Sequence, residues 1–405
     1  MIRAMTSPEP DWVHSALFAC AIAAPDIDLS GQIAEAGGSA PSWERLMASA
    51  AAHKLRPPLY RQVVLGKGRN NPACARVEEA EAYLRACAIR GMSMMASLAR
   101  AIETLRNAEI LAVPFKGPVF AEVAGAGMGS REMNDLDLMI RPSELPRAAR
   151  ALSELGFRTE FPREAFASPW LTKALSELPL WRECDALLLE LHWRAAPRWF
   201  AAPCTVDEVL SRLSTRKIGG VEMWWPAPED LLLLHVADGM KSCGYGMRWV
   251  ADLLQILGRN PELEWDRVRR TASAGGGING VRVALAVAER LADDARRWSG
   301  VAELGAPLPD EARMLAGEAR GGRRMRRAIA MILSRLSQDA VTPGAVAHFR
   351  WALLVGDDRW AVAGETLRYL LGPAAADLAA IKGKGESDVA LRLKALKRRL
   401  GGIVR

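Results

Sequence analysis

Two acidic side chains near the middle of the chain form the sharpest chemical pattern in the sequence. Asp135 and Asp137 flank one leucine at the start of the apolar string Leu136–Ile140, an alternation typical of a half-buried β-strand. Residues two apart on a strand project from the same face, roughly 6.5–7 Å apart along the chain. Paired carboxylates suit Mg²⁺, which binds carboxylates together with substrate phosphates. The pair therefore indicates a metal site, and two surface aspartates are the alternative.

Glu190 is a third acidic candidate. It lies inside Leu187–Trp193, an apolar string that predicts a β-strand, where a carboxylate is costly unless it is paired or bound to metal. If this strand adjoins the strand of the two aspartates, three carboxylates converge and could hold metals for phosphoryl or nucleotidyl transfer. The alternative is an ion pair between Glu190 and Arg182 or Arg194.

Basic residues and a glycine precede the aspartates. Lys116 and Gly117 directly follow Ile110–Phe115, a short predicted strand. A glycine at such a turn lets backbone N–H groups approach an anion, and the lysine supplies charge. Arg131, four residues before the first aspartate, could reach a phosphate. The alternative is that all three are ordinary turn or solvated loop residues.

Four more polar residues lie in Asp230–Leu257, which reads as helical after Pro228. Arg248 and Asp252 have the i,i+4 spacing of a helix ion pair. His235 lies among apolar residues and is interpreted as a hydrogen-bonded core histidine. Lys241 is the fourth polar residue of this segment.

The strands and helices predicted around these residues indicate an α+β fold. A core made of a small mixed sheet with helices lies between two helical regions. We divide the chain into an N-terminal helical region (1–100), an α/β core (101–226) and a C-terminal helical domain with a basic tail (227–405). Helices are predicted at Trp43–Ala52, Val77–Ala101, Met247–Leu257, Gly280–Trp298, Ala328–Leu336 and Leu391–Leu400.

Two local signals complete the prediction of the core. Ser143 is expected to cap a helix that runs to Leu155 and ends at Gly156. Lys217–Trp225 is expected to form a hairpin around the two glycines at 219 and 220.

Composition excludes several classes of protein. The 405 residues are 50% hydrophobic and 25% charged, unlike disordered or collagen-like chains. No apolar run reaches the ~18 residues of a membrane span, and Glu9 and Asp11 before the first apolar stretch are unlike a signal peptide. The six cysteines are scattered without a C-x-x-C pair, so we expect reduced thiols, no structural zinc and a cytoplasmic location.

The net charge of +7 is concentrated at the C-terminal end. Residues 311–405 contain 18 Lys and Arg against 9 Asp and Glu, in runs such as Arg320–Arg327 and Lys394–Arg399. Such runs are commonly solvated helix faces, and few aromatic residues accompany them for base stacking. We therefore do not expect nucleic acid as a partner.

The string Val113–Ile140 resembles the uncharacterised nucleotidyltransferase family of the polymerase-β-like superfamily. That family has an apolar–Lys–Gly turn and then an Arg-Pro-x-x-Asp-x-Asp pattern entering a strand. Lys116 and Gly117 match the turn, and Arg131 and the two aspartates match the second pattern.

Three further segments are similar to the same family. Glu190–Trp193 is similar to its acidic-x-His-Trp strand, and Ala227–Leu257 to a helical block ending in Arg-Trp-x-x-Asp. Trp43–Tyr60 resembles its N-terminal helical region. The likeness covers most of residues 40–375.

The resemblance implies Mg²⁺-dependent transfer of a nucleotidyl group from an NTP to an acceptor such as a peptide, a sugar or another small molecule. Metal binding and catalysis would fall to Asp135, Asp137 and Glu190. Nucleotide contacts are assigned to six residues: Lys116, Gly117, Arg131, His192, Lys241 and Arg248.

The chain departs from the expected pattern in three places. Pro118 follows Gly117, where the superfamily has a second glycine or a serine, and the gap from Gly117 to Asp135 is longer. Glu132 replaces the proline after Arg131.

Two other functions remain open. The same Asp-x-Asp pair would suit a nucleotide-sugar diphosphate and hence sugar transfer, and the fold could also serve as a non-catalytic nucleotide-binding or partner-binding module. If the metal assignment is right, Asp135→Asn or Asp137→Asn should abolish transfer and leave the fold intact.

Overall fold

A computed structural model describes residues 12–371, apart from positions 25, 37–38, 68–75, 118, 121–126, 163–164, 167, 169, 219 and 337–344. The helices that precede the last strand are α1 (Trp12–Ile22), α2 (Ser30–Ala36), α3 (Ala40–Ala52), α4 (Arg56–Leu65), α5 (Val77–Asn107), α6 (Leu145–Ser153), α7 (Trp170–Ala174) and α8 (Val206–Leu210). Those that follow it are α9 (Pro228–Lys241), α10 (Arg248–Arg259), α11 (Trp265–Ala274), α12 (Ile278–Ser299), α13 (Asp310–Gly321), α14 (Arg323–Leu336), α15 (Ala345–Val355) and α16 (Arg359–Leu371).

The helices begin and end where local chemistry favours it. Helix α5 has Glu78 and Glu79 in its first turn and Arg106 in its last, which complements the helix dipole. Thr205 and Glu208 form a capping box at the start of α8. Helix α5 continues past residue 100, so it crosses the boundary that we placed there.

Four strands form a mixed sheet in the order β1–β2–β4–β3. They are β1 (Val113–Pro114), β2 (Asp135–Met139), β3 (Glu177–Arg182) and β4 (Leu187–His192). Strand β2 runs parallel to β4 and antiparallel to β1, while β3 runs antiparallel to β4. The strands predicted around the two aspartates and around Glu190 are therefore confirmed as neighbours.

Strand β3 is an element that the sequence analysis missed. Pro179 lies at its centre and weakens the strand pattern, because proline cannot donate a backbone hydrogen bond to a ladder. The sheet order places β3 at an edge, where this loss is tolerated. Strand β1, at the other edge, is only two residues long and ends in Pro114.

The hairpin prediction is confirmed and one capping prediction is wrong. Strands β5 (Ser214–Ile218) and β6 (Val221–Trp225) pair antiparallel, and Gly220 has φ +87° between them. Pro142–Glu144 instead forms a 3₁₀ turn, and helix α6 begins after it without a side-chain cap, so Ser143 does not cap it. The proline that starts this turn fixes φ in the helical region before Ser143 can act.

The remaining predicted helices that fall within the described residues are confirmed, in α3, α5, α10, α12 and α14. Leu391–Leu400 and the run Lys394–Arg399 lie outside the described residues. Buried apolar side chains form one continuous cluster that includes Val13 of α1, Leu138 of the sheet and Val362 of α16.

None of the helices in the described part of the chain is long and apolar enough to span a bilayer. The five cysteines described, Cys20, Cys87, Cys184, Cys204 and Cys243, are free thiols, as expected.

Candidate active site

The predicted carboxylates line one cavity of about 370 Å³, within the ~300–1,000 Å³ usual for small-molecule sites. Asp135 and Asp137 come from β2, and Glu190 comes from β4. The parallel pairing sets Asp137 directly opposite Glu190. Helices α9 and α10 supply the facing wall, so the cavity lies between the sheet and the helical region that follows it.

Asp137 is the most buried of the three carboxylates, with 3% of its surface exposed. Its Oδ1 atom accepts hydrogen bonds from His192 Nε2 at 2.9 Å and from Lys116 Nζ at 3.0 Å. Its Oδ2 atom accepts no hydrogen bond from the described residues and so remains available to a ligand. Burial would raise the pKa of Asp137, but the Lys116 ammonium and the bond from His192 outweigh it, and the pKa falls below its ordinary value.

His192 lies behind the carboxylates. It is fully buried, packs edge-on against Phe115 with ring centroids 5.0 Å apart, and is not among the residues that line the cavity. Its Nε2 atom also lies 3.4 Å from Glu190 Oε2, and its Nδ1 atom lies 3.2 Å from Glu177 Oε2. The imidazole therefore orients carboxylates from beneath, whereas we had expected it to contact a nucleotide.

The ligand atoms of Asp137, Glu190 and His192 all lie within 4.8 Å of one another, so this group could hold a metal ion. Asp135 is not part of that compact group, although it lines the same cavity. Burial, followed by repulsion from Asp137, raises the pKa of Asp135. Within that group the two carboxylates line the cavity and His192 does not, and oxygen ligands are those that Mg²⁺ prefers.

Lys116 joins the sheet to helix α9. Besides its bond to Asp137, its Nζ atom lies 3.1 Å from Asp238 Oδ1, and Lys241 Nζ lies 3.2 Å from the same oxygen. Burial would lower the pKa of Lys116, but Asp238 and Asp137 raise it well above its ordinary value. The lysine thus remains charged and neutralises two carboxylates, while Gly117 turns the chain after it with φ +49°.

Asp238 is a residue that the sequence analysis missed. Burial would raise its pKa, but Lys116 and Lys241 lower it far below the ordinary range of an aspartate. A signal was present, because His235, Asp238 and Lys241 are spaced three apart and so share one helix face. Glu177 was missed because it lies on the unrecognised strand β3; its Oε2 atom is 3.9 Å from Lys241 Nζ.

Arginines dominate the opposite end of the cavity. Arg131 Nη1 donates to Asp252 Oδ2 at 2.5 Å, whereas Arg248 Nε lies 3.8 Å from that oxygen. The predicted i,i+4 pair therefore exists, but Arg131 is the closer partner of Asp252. Arg248 Nη1 donates instead to the carbonyl oxygen of Lys54 at 3.1 Å. Burial and the neighbouring Arg131 lower the pKa of Arg248 to about 9.

A smaller cavity of about 250 Å³ adjoins this end. Arg131, Arg248 and Phe120 line both cavities, and Pro57 and Gln255 help to line only the smaller one. The two arginines thus lie at the junction of a polar cavity and a more apolar one.

These contacts resolve one alternative from the sequence and show the partners of Glu132. Arg182 pairs with Asp185 at 2.7 Å and donates to Ser97, so it is not the partner of Glu190. Glu132 lies 3.1 Å from Arg56 and accepts from Tyr83, so it does not pair with Arg131.

His235 is buried, as predicted for a core histidine. Its Nε2–H donates to the carbonyl oxygen of Trp249 at 2.7 Å, and its ring packs edge-on against Phe120. Burial lowers its pKa, so the ring is neutral, and its Nδ1 atom has no hydrogen-bond partner among the described residues. It also lines the cavity, which the sequence did not indicate.

Comparison with known proteins identifies the family of the chain. A family model for an uncharacterised nucleotidyltransferase matches residues 39–293, which is well over half of the chain. The chain therefore belongs to this uncharacterised nucleotidyltransferase family. No curated protein and no solved structure shows a significant match.

Proposed function

We propose that the protein is a Mg²⁺-dependent nucleotidyltransferase that moves a nucleotidyl group from an NTP to an acceptor. The proposal rests on one observation: the two ends of one cavity are lined by side chains of opposite charge. Three carboxylates from adjacent strands line one end, and at the other Arg131 and Arg248 share a single carboxylate, Asp252. A metal–triphosphate complex offers a cation to the first end and anionic oxygens to the second.

Asp135, Asp137 and Glu190 would hold the metal. Their oxygens line the cavity, and His192 supports two of them from the buried side, as partners behind metal ligands commonly do. A divalent ion bound there supplies neutralisation of the triphosphate charge and alignment of the reacting oxygens.

The nucleotide phosphates would extend toward Arg131 and Arg248. A guanidinium pairs well with phosphate oxygens, and Arg248 lies too far from Asp252 to be fully neutralised by it. Lys116, which follows β1, and Lys241 of α9 would contribute charge, and Gly117 would allow close approach of the backbone. The smaller adjoining cavity offers apolar walls for the nucleoside.

The reaction is a substitution at the α-phosphorus. An acceptor oxygen forms a bond to that phosphorus, the bond to the bridging α–β oxygen breaks, and pyrophosphate leaves with the bonding electrons. The acceptor's proton passes to a cavity carboxylate and then to water. Peptides, carbohydrates and other small molecules are all suitable acceptors, and we do not expect nucleic acid.

The polymerase-β-like superfamily is the fold assignment that we favour. Two acids on one strand and a third on the adjacent strand, in a small mixed sheet, support it. Sugar transfer from a nucleotide sugar is the second candidate, because a metal–diphosphate would also be complementary to the two ends of the cavity.

Thermal unfolding with a panel of NTPs and nucleotide sugars, with and without Mg²⁺, tests the proposal. A ligand at about 100 times its Kd stabilises the folded state by about 2.7 kcal/mol. We expect a Mg²⁺-dependent shift with an NTP that Asp135→Asn removes. Asp310→Asn is the matched control, since that side chain is 92% exposed and far from the cavity in sequence.

The other outcomes decide between the alternatives. A shift with nucleotide sugars alone, and release of a nucleoside diphosphate rather than pyrophosphate, would replace the proposal with sugar transfer. NTP binding that is independent of Mg²⁺ and of Asp135 would favour a non-catalytic module.

A further inference from the structure

A cavity of about 570 Å³ lies between the segment that follows β4 and helix α16. Its walls include the aromatic side chains of Trp193, Trp199 and Phe200, and Val362 closes it from α16. Trp193, Phe200 and Val362 are buried, so these walls are fixed by the core. The volume is that of a site for a small organic molecule.

One guanidinium in this cavity has no direct partner among the residues that the structure describes. Arg194 is half-buried, and within the described residues it forms no hydrogen bond or ion pair. The carboxylate of Glu365, which also lines the cavity, is bound to two other arginines: Oε2 accepts from Arg198 Nε at 3.0 Å, and Oε1 accepts from Arg368. Burial and the neighbouring Arg198 lower the pKa of Arg194, and Glu365 offsets only part of this effect.

An unpaired, partly buried guanidinium is costly unless a ligand supplies the missing anion. Arg194 therefore indicates a ligand with an acidic group, and the tryptophan and phenylalanine walls indicate that the rest of the ligand is apolar or aromatic. Carboxylates and phosphates share the hydrogen-bonding geometry that a guanidinium recognises.

This cavity and the candidate active site each share lining residues with a third cavity. Pro197 and Trp199 also line a cavity of about 340 Å³, and Lys241 and Tyr245 line both that cavity and the candidate active site. The three cavities thus share walls in series. A molecule extended along them would reach from Arg194 to the end that holds the carboxylates.

We propose that the cavity around Arg194 binds the acceptor, and that the acceptor is an elongated organic anion with an apolar or aromatic body whose acidic group pairs with Arg194. This inference rests on the proposed function for the role of acceptor, but not for the existence of the binding site. The reactive end of the acceptor lies beyond Lys241, at the carboxylates.

Binding of 8-anilinonaphthalene-1-sulfonate, an aromatic anion, to the full chain tests the site. Trp193 and Trp199 would transfer excitation energy to the bound probe, so saturation can be followed by tryptophan-sensitised emission. We expect saturable binding to the wild type and affinity at least about tenfold weaker in Arg194→Leu. Arg194→Lys should retain part of the affinity. Arg313→Leu removes the same charge from an exposed position and should bind as the wild type does.

Competition identifies the anion and tests the assignment to the acceptor. Displacement by indole-3-acetate supports a carboxylate ligand, and displacement by naphthyl phosphate supports a phosphate; displacement by neither overturns the proposal. Equal probe affinity in Arg194→Leu and the wild type, or no saturable binding, also overturns it.

The nucleotide provides the final discrimination. With Mg²⁺ and α,β-methylene-ATP at saturation, the probe should remain bound, because the acceptor and nucleotide occupy different cavities. Competitive displacement of the probe by this nucleotide would assign the Arg194 cavity to the nucleotide and overturn the acceptor proposal. If the nucleotide itself fails to bind in the thermal assay, the proposed function fails while the result for Arg194 still stands.

Discussion

The two ends of the candidate active site differ in which charge is left without a partner. At the sheet end, the described acids Asp135, Asp137, Glu190 and Asp238 outnumber the lysines Lys54, Lys116 and Lys241. At the helix end, two arginines share one aspartate. Ion pairs that are complete stabilise the wall, whereas the excess at each end indicates what a ligand must bring. The comparison therefore separates charges that are paired within the protein from charges that we propose bind the ligand.

Substitution of Asp135 and of Asp137 should have the largest effects and tests the difference between the two ends. Asp135→Asn and Asp137→Asn should each lower the rate of transfer by about 10³-fold or more, since metal neutralisation contributes several kcal/mol to the transition state. Their effects on stability should be opposite. Asp135→Asn should stabilise the metal-free protein, because burial and Asp137 disfavour the charged form of Asp135.

Asp137→Asn should instead destabilise the protein by about 1–3 kcal/mol, because it removes the negative charge beside Lys116 and His192 and leaves only a neutral amide oxygen to accept from them. A loss of this size is compatible with the expectation from sequence that both variants keep the fold. Urea unfolding in EDTA measures both free energies of unfolding. Equal stability of the two variants would contradict the division between paired and unpaired carboxylates.

Removal of the less paired arginine tests the other end. Arg248→Met should weaken binding of the Mg²⁺–NTP complex about 10–100-fold, the loss expected for charge-assisted hydrogen bonds of about 1.5–3 kcal/mol. Arg56→Met is the matched control, because Arg56 pairs with Glu132 and lines neither cavity. The weaker binding should be measured as a higher KM for the NTP in Arg248→Met. An equal increase in both variants would mean that Arg248 acts only through the fold.

Acid unfolding tests the paired groups at both ends. The folded-state pKa values of Asp137, Asp238 and Asp252 are lowered, so each stabilises the fold above the unfolded pKa of about 3.9. That contribution is lost as the pH falls from about 4 toward the folded pKa. Wild-type stability should therefore fall steeply below pH 4, and Asp238→Asn should show lower stability at pH 7 with a shallower fall. If the curves of stability against pH for the wild type and Asp238→Asn are parallel, Asp238 does not contribute to the pH dependence of stability.

The smallest effect is expected for Lys241→Met. Lys241 shares Asp238 with Lys116, so its removal leaves that carboxylate paired. Affinity for the NTP should fall by at most about fivefold, the equivalent of about 1 kcal/mol for a partly exposed pair. Titration of the Mg²⁺–NTP complex measures it. A loss as large as that of Arg248→Met would show that the lysine is reserved for the ligand.

The sheet end could be predicted from sequence because its information is local. Asp135 and Asp137 share a strand face by spacing alone, and the apolar string around Glu190 is a strong strand signal. Their convergence depended only on adjacent pairing of β2 and β4, which the structure confirms.

The helix end could not be predicted in the same way, because its partners are distant in sequence. Arg131 and Asp252 are 121 residues apart, and the i,i+4 spacing of Arg248 drew attention to the weaker partner. Lys116 was assigned to phosphates by its turn, yet a buried lysine needs carboxylates, and Asp238 could be found only through the packing of α9 on the sheet.

The prolines at the two edges of the sheet have a consequence for association between copies of the chain. An edge strand with free N–H and C=O groups can pair with a strand of another molecule and start aggregation. Pro179 removes one N–H from β3, and Pro114 removes another from β1, which offers only two residues for pairing. Arg158 occupies a further part of the β3 edge through its backbone bonds to Trp181, so both edges offer few free groups for pairing, and the carboxylate-bearing strands β2 and β4 lie in the interior of the sheet.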